Sequence, residues 1–348
     1  MYTQRLIERY KTARKKKFLD KHSNYKHQYA FIGVGQHSIS NLYPVIQYLG
    51  IPLSKICTLH IQNAQKMAGH FTGCVGTDNI GDILQDSSIK GVFVSASPTQ
   101  HYGIVSRLLQ AGKQVFVEKP PCFSLQELTT LIGYQGTANC QPGLQKRFSA
   151  INNLLQPYRA KTKNYSYRYL TGPYPEGNPP VELFIHPVDN LIHLFGPIAQ
   201  STIHSSGKDN ATFFVHVTHH CGITGMLHLS TDHSWQSAID ELQINTTGDV
   251  LHASYPFRLT GIEKPARFLS LPLEKIFKSP VHQKVYLDNN GFSLTAAHNS
   301  LALQGFLGEI EHFVSMTEQG IQDKQHNLQS LVDTYELLEK MNAAGMRS

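Results

Sequence analysis

The sequence predicts an α/β chain of two domains: an N-terminal domain with a parallel sheet, then a C-terminal α+β domain with a large, mostly antiparallel open sheet. Its 348 residues exceed one ordinary domain and suit two of roughly 150 residues each. Between Tyr29 and Val117, short continuous apolar runs alternate with helical segments, the pattern of strands buried on both faces. Beyond about Phe148 the segments lengthen and alternate between apolar and polar residues, as strands do when one face is covered.

The first apolar run, Tyr29-Ala-Phe-Ile-Gly33, leads into a helical pattern from Ser38 to Leu49 that Gly50 closes, giving strand, turn and helix. Further strands are expected at 55–59, 91–95 and 114–117, with helices around 64–70, 80–84 and 101–111. The second domain is expected to hold strands at 163–169, 201–204, 212–219, 222–230 and 241–245, and helices at 305–318 and 328–344. The expected organisation is a basic helical extension at 1–27, a dinucleotide-binding domain at 28–147, and a substrate and oligomerisation domain at 148–348. The last helices of that second domain are free to pack back on the first.

Composition narrows the function. With 41% hydrophobic and 16% charged residues the chain is globular. No apolar run approaches the roughly 20 residues needed to cross a bilayer, and the first 26 residues lack the apolar core of a secretory signal. A cytoplasmic protein with no membrane partner is expected. The net charge of +6 is concentrated: residues 1–27 carry nine Lys or Arg and two acids, leaving 22 basic and 23 acidic side chains elsewhere. A basic excess confined to one arm, including Arg14-Lys15-Lys16-Lys17, reads as a solvated helix or tether, not a nucleic-acid surface. Leu6, Ile7, Tyr10, Phe18 and Leu19 give that arm a weak apolar stripe that could dock on the body or on a second subunit. The five cysteines are scattered without a C-x-x-C pair, which argues against disulfides or a zinc knuckle.

The first chemical motif is Gly33-Val34-Gly35-Gln36-His37-Ser38. Its first glycine permits a tight turn, and its second lets a pyrophosphate approach the backbone at a helix N-terminus; Ser38 stands where a third glycine is usual. This is the loop of a Rossmann domain, so Gly33, Gly35, Gln36, His37 and Ser38 are expected to bind NAD or NADP. An NAD site usually has an acid after the second strand, but here that strand runs into His60-Ile61-Gln62-Asn63, with Lys66 nearby. His60 is therefore a cofactor-site candidate, and NADP is mildly favoured over NAD.

The next two strands end in Ser97-Pro98-Thr99-Gln100-His101 and Glu118-Lys119-Pro120-Pro121, both on the ligand side of a parallel sheet. With Gly91-Val-Phe-Val-Ser-Ala-Ser-Pro98 and Ala111-Gly-Lys-Gln-Val-Phe-Val-Glu-Lys-Pro120, the sequence resembles the Gfo/Idh/MocA family. The resemblance implies cofactor contacts at Ser97, Pro98, His101, Glu118, Lys119 and Pro120, with Lys119 reaching nicotinamide and substrate. Independently of the family, a cation at a strand end between prolines can polarise a substrate oxygen or share its proton.

A second cluster runs from Val181 through Glu182, His186, Asp189 and His193 to Gly196. On one helix, Glu182 would share a face with His186, and Asp189 with His193. A carboxylate beside an imidazole fixes its tautomer and raises its pKa, as an acid or base near neutral pH requires. The family places an aspartate where Glu182 stands, and a histidine acid/base at His186. The candidate catalytic set is therefore Lys119, Glu182 and His186. Arg147, in a basic segment the family places at the domain junction, and Asp189 are candidate substrate contacts.

His216, His219, His220 and Cys221 carry metal-ligand chemistry, but alternation on a strand points them to opposite faces, so no metal is expected. The resemblance implies a nicotinamide oxidoreductase acting on a small molecule such as a sugar, nucleotide sugar or polyol, and a homo-oligomer, dimer or tetramer. Two alternatives stay open: a noncatalytic ligand sensor of the same fold, and a redox-neutral enzyme that cleaves glycosides with NAD.

Overall fold

The computed structural model describes residues 2–21, 25–206, 212–264, 267–268, 271–275, 282–289 and 299–345. The chain divides into two compact units: 1–118 with 131–141 and 310–323, and 119–130 with 142–309 and 324–348. The chain therefore passes between units several times, with Glu118 and Lys119 falling on opposite sides of one such point.

In the first unit, β1 (Gln28–Ile32), β2 (Leu53–Cys57), β3 (Val75–Thr77), β4 (Ile89–Val94), β5 (Gln114–Glu118) and β6 (Cys140–Gly143) form one sheet in the order β3-β2-β1-β4-β5-β6. The pairings of β1 with β2 and β4, of β2 with β3, and of β4 with β5 are parallel. From β1 the chain first winds outward through β2 and β3, then returns to the other side for β4. Strand order thus reverses between β1 and β4, and a parallel sheet opens its ligand crevice beyond the strand ends at such a point. The helices are α1 (Tyr2–Lys21), α2 (Tyr43–Leu49), α3 (Ile61–Ala68), α4 (Gly81–Leu84), α5 (Pro98–Gln110) and α6 (Leu125–Gln135, shared with the second unit).

Continuous burial of Tyr29, Ala30, Phe31 and Ile32 explains why β1 reads as an unbroken apolar run. Phe31, Phe93 and Phe116 stack across the sheet, and Phe313 closes on them with its ring centroid 5.2 Å from that of Phe93. Tyr29 fills the space that Gly91 leaves, where a Cβ would lie 2.5 Å from its ring, and its hydroxyl donates to Glu318 at 2.9 Å.

Of the stripe expected on α1, Leu6, Ile7 and Tyr10 are half or more exposed. The side chains of Arg14 to Leu19, which hold the rest of that stripe and the basic run, lie outside the described residues.

The second unit contains α7 (Ala150–Leu155), α8 (Pro179–Glu182), α9 (Ile185–Phe195), α10 (Ser300–Gln304), α11 (Phe306–Gln319, shared with the first unit) and α12 (Val332–Gly345). Its sheet holds β7 (Thr162–Leu170), β8 (Ile198–Ser206), β9 (Thr212–His219), β10 (Thr224–Ser230), β11 (Ile239–Thr246), β12 (Asp249–Ser254) and β13 (Arg258–Glu263). A short pair, β14 (Arg267–Phe268) and β15 (Leu271–Pro272), stands apart, and β16 (Gln283–Asp288) completes the sheet in the order β16-β13-β12-β11-β7-β10-β9-β8. Among the described residues its pairings are antiparallel except β7 with β10. Tyr165 and Tyr167 of β7 are buried, whereas Ser166 and Arg168 are exposed, the alternation that marks one covered face. Among the described residues, no helix is long and apolar enough to cross a membrane.

Candidate active site

The crevice of the first unit holds a cavity of about 560 Å³ lined by the loop after β1, the ends of β2 and β4, and one face of α5. Gly33 and Gly35 serve it differently. Gly33 has φ +108°, and a Cβ there would lie 2.1 Å from the Ser95 carbonyl oxygen, so close strand packing demands glycine. A Cβ on Gly35 would meet no protein atom within 4 Å. Nothing in the protein requires that glycine, and the free space faces the cavity that Gly35 lines.

Ser38 is fully buried; its hydroxyl donates to Gly35 O and accepts from Gly35 N, both at 2.9 Å. It therefore ties the loop from within. Tyr43, stacked on Phe31 at 4.2 Å, donates to Gly33 O at 2.9 Å and fixes the start of the loop.

Of the remaining candidates, Gln36, His37, His60 and Ser97 line the cavity. Pro98 opens α5 and His101 is buried in its second turn; neither lines the cavity. Glu118, at the end of β5, lies against His37, Oε1 to Nε2 at 3.1 Å. Asn63, Asp78 and Arg107 also line the cavity but were missed, because their placement depends on how α3, the β3 end and α5 close over the crevice. Asp78, beyond β3, lines the cavity, while Lys66 does not.

The second unit brings Lys119 to the cluster around Glu182, its ammonium donating to Glu182 O at 2.8 Å. The expected single helix is broken. α8 starts on Asn178, whose side chain accepts from Val181 N, with Pro179 and Pro180 in its first turn where their missing N–H groups cost nothing. It ends at Glu182, and α9 starts at Ile185, so Glu182 and His186 do not share a helix face. The Glu182 carboxylate accepts from Asn178 N at 2.7 Å and from the Tyr174 hydroxyl at 3.0 Å. It also excludes a side chain at Gly177, where a Cβ would lie 2.3 Å from Oε1. Glu182 thus pins the 174–178 loop through its carboxylate. Desolvation, then the bond to Glu182, pushes the Tyr174 phenol up to about 12. His186 is half-buried in the first turn of α9.

Asp189 and Arg147 form a buried bidentate pair, Arg147 Nε to Oδ2 at 2.9 Å and Nη2 to Oδ1, with Nη1 donating to Ser330 Oγ at 2.9 Å. Both side chains are almost wholly shielded. The pair links α9, the segment at Arg147 and the segment at Ser330. On the next turn, burial and then the Arg147 charge lower His193 to about 4.

Sequence reasoning also missed Lys146. Its ammonium lies over the rings of Tyr167, Tyr169 and Tyr255, 4.8 Å from the last centroid, pairs with Asp240 and is 3.1 Å from the Tyr167 hydroxyl. Tyr169 in turn packs edge-on against Phe184, two residues before His186. Cation and tyrosines come from separate elements, so no local motif announces them.

Among the metal-ligand types near Cys221, His219 is buried, with Nε2 at 2.8 Å from the Tyr165 hydroxyl and Nδ1 at 2.6 Å from Gly196 O. His216 is exposed on the other face of β9.

Residues 27–143 match the sequence profile of an oxidoreductase family with an NAD-binding Rossmann fold, Gfo/Idh/MocA. A search of curated proteins finds no match. Among solved structures, a dehydrogenase from Chromobacterium violaceum is similar at 17% identity over 91% of this chain and 95% of its own, with a TM-score of 0.79. UDP-N-acetylglucosamine 3-dehydrogenase from Acidithiobacillus ferrooxidans is similar at 16% identity over 91% and 97%, with a TM-score of 0.71. A 3-ketoreductase from Actinomadura kijaniata, in complex with TDP-benzene and NADP, is similar at 12% identity over 92% and 98%, with a TM-score of 0.70. At such identities the likeness is one of fold.

Proposed function

We propose, from the match of residues 27–143 to the Gfo/Idh/MocA oxidoreductases with an NAD-binding Rossmann fold, that the chain is an NAD(P)-dependent dehydrogenase or reductase acting on a sugar, nucleotide-sugar or polyol-like substrate. The observation that carries this reading is the loop after β1, where one glycine is demanded by the protein and the next is demanded by nothing in it. Space kept open over backbone at a topological switch point fits a pyrophosphate. Directly after β2 the rim offers Thr58, His60 and Asn63 and no acid, Asp78 lying beyond β3, so NADP is mildly favoured over NAD.

When bound, the nicotinamide donates or accepts the hydride. The chain supplies the rest. Lys119, held by Glu182 O, polarises the substrate oxygen. His186 exchanges the proton at that oxygen as the carbon changes oxidation state. Glu182 is a positioning residue, holding Lys119 through its carbonyl and the 174–178 loop through its carboxylate. Lys146 and Asp240, partly open to solvent beside Tyr169, offer a donor and an acceptor to ring hydroxyls. The neighbours act on, or are bound to, nucleotide-linked compounds, by their names UDP-N-acetylglucosamine and TDP-benzene. This favours a nucleotide sugar.

The proposed location is the cytoplasm, consistent with free thiols at Cys57, Cys122 and Cys140. Self-association into a dimer or tetramer is proposed through the open sheet face, where Phe214 and Met226 are 43% and 55% exposed.

The test is a panel of nucleotide sugars, aldoses and polyols with both cofactors, read at the absorbance of reduced nicotinamide. Turnover that disappears in Lys119→Ala, with cofactor binding kept, is expected. Binding of cofactor without turnover of any panel member favours a sensor, and conversion without net absorbance change favours redox-neutral chemistry.

A further inference from the structure

The groove of the first unit ends at a side chain of the glycine-rich loop itself. His37 follows Gly35 and Gln36 and leans away from β1 until its Nε2 lies 3.1 Å from Glu118 Oε1, at the end of β5. In the sheet order β1-β4-β5 these two strands are separated by β4, and neighbouring strands lie roughly 4.8 Å apart. The contact therefore passes over the end of β4, beside the Ser95, Ala96 and Ser97 backbone that lines the cavity. His37 lines the cavity and Glu118 does not, so the imidazole is its wall on the β5 side.

The ring is held from its other edge as well. Asn41, one helical turn on, places Nδ2 3.2 Å from His37 Nδ1. The ring edge left facing the Glu118 carboxylate is Nε2, in close polar contact with it at 3.1 Å. Glu118 is nearly buried whereas His37 is 44% exposed, so the carboxylate is fixed and the imidazole is the part with room to move.

We propose that the Asn41–His37–Glu118 chain is a latch across the nicotinamide half of the groove, which the incoming dinucleotide must open. This rests on the cofactor reading of the cavity. A dinucleotide lies across the switch point, with its adenosine half toward β2 and its other half toward β4 and β5. The adenosine half enters past Thr58, His60 and Asn63 without meeting the latch. The nicotinamide ribose reaches the end of β5 only when the His37 ring leaves Glu118, so part of the binding free energy of the full cofactor is spent on opening.

The test is a titration of the full chain with NADPH, by fluorescence, and with ADP, by calorimetry, in the wild type, His37→Ala and Asn41→Ala. Opening a half-exposed contact of this kind predicts that NADPH binds about two- to fivefold tighter in His37→Ala. A smaller tightening is expected in Asn41→Ala, which loosens the ring from outside the groove, and ADP affinity is expected to stay unchanged in both. Unchanged or weaker NADPH binding in His37→Ala overturns the latch and makes His37 an inert wall or a cofactor ligand. Equal changes for NADPH and ADP also overturn it, since the loop as a whole has then been altered. If neither probe binds even the wild type, the cofactor reading of the cavity fails first.

Discussion

Substituting alanine separately at Gly33 and Gly35 separates what the fold needs from what a ligand needs. At Gly33 the added Cβ lies 2.1 Å from a backbone oxygen, and φ is +108°. Neither side-chain rotation nor a small shift relieves a clash with a neighbouring strand, so strain and clash together cost about 3 kcal/mol or more. For a unit of this size that corresponds to a melting temperature lower by about 6–12 °C. At Gly35 the added Cβ meets no protein atom within 4 Å, so stability should stay within about 0.5 kcal/mol of the wild type. The same methyl occupies the space a pyrophosphate would enter, and NADPH affinity should fall by about tenfold or more, or 1.4 kcal/mol. Thermal melts and NADPH fluorescence titrations on the two variants read both quantities. A Gly35→Ala protein that binds NADPH like the wild type would refute the cradle, and a Gly33→Ala protein that melts like the wild type would refute the loop geometry.

Arg147→Ala should destabilise the chain by about 3–5 kcal/mol in urea unfolding because it strands a buried carboxylate at Asp189, and Arg147→Ala with Asp189→Ala should cost less than the single change. His193, held near 4 in the fold against an ordinary 6.5, takes up its proton first in the unfolded chain. Its contribution is therefore complete above about pH 6.5 and is lost as pH falls from there toward 4, at up to about 1.4 kcal/mol per pH unit; His193→Gln should flatten that slope in unfolding measured across the window. Lys146→Met should raise the KM of whichever panel substrate turns over by about tenfold with kcat little changed, if the cage binds hydroxyls. A lower melting temperature with unchanged KM would make it purely structural.

The first sheet was legible because its central strands are buried on both faces: Tyr29–Ile32 and Val115–Val117 are apolar at every position. β3 and β6 escaped notice. Val75–Thr77 is too short to show a period, and Cys140–Gly143 contains a proline and a glycine. In the second sheet, β12, β13 and β16 were missed because their exposed positions and polar residues blur the alternation. The glycine loop, His60 and Ser97 were readable from spacing, since each follows directly on a buried strand. The partners of Glu182 were not, because Tyr174 and Asn178 are brought to it by the loop before α8. Arg147 and Asp189 looked like ligand groups in the sequence because charge is costly to bury; the structure buries them as a pair, which is how such groups are tolerated inside.

The claim on which the functional account stands is that the crevice between β1 and β4 takes up a nicotinamide dinucleotide. Isothermal calorimetry of the purified chain with NADPH and with NADH addresses it directly. The account predicts saturable one-to-one binding, tighter for NADPH. Absence of saturable heat for both cofactors up to millimolar concentration would contradict it.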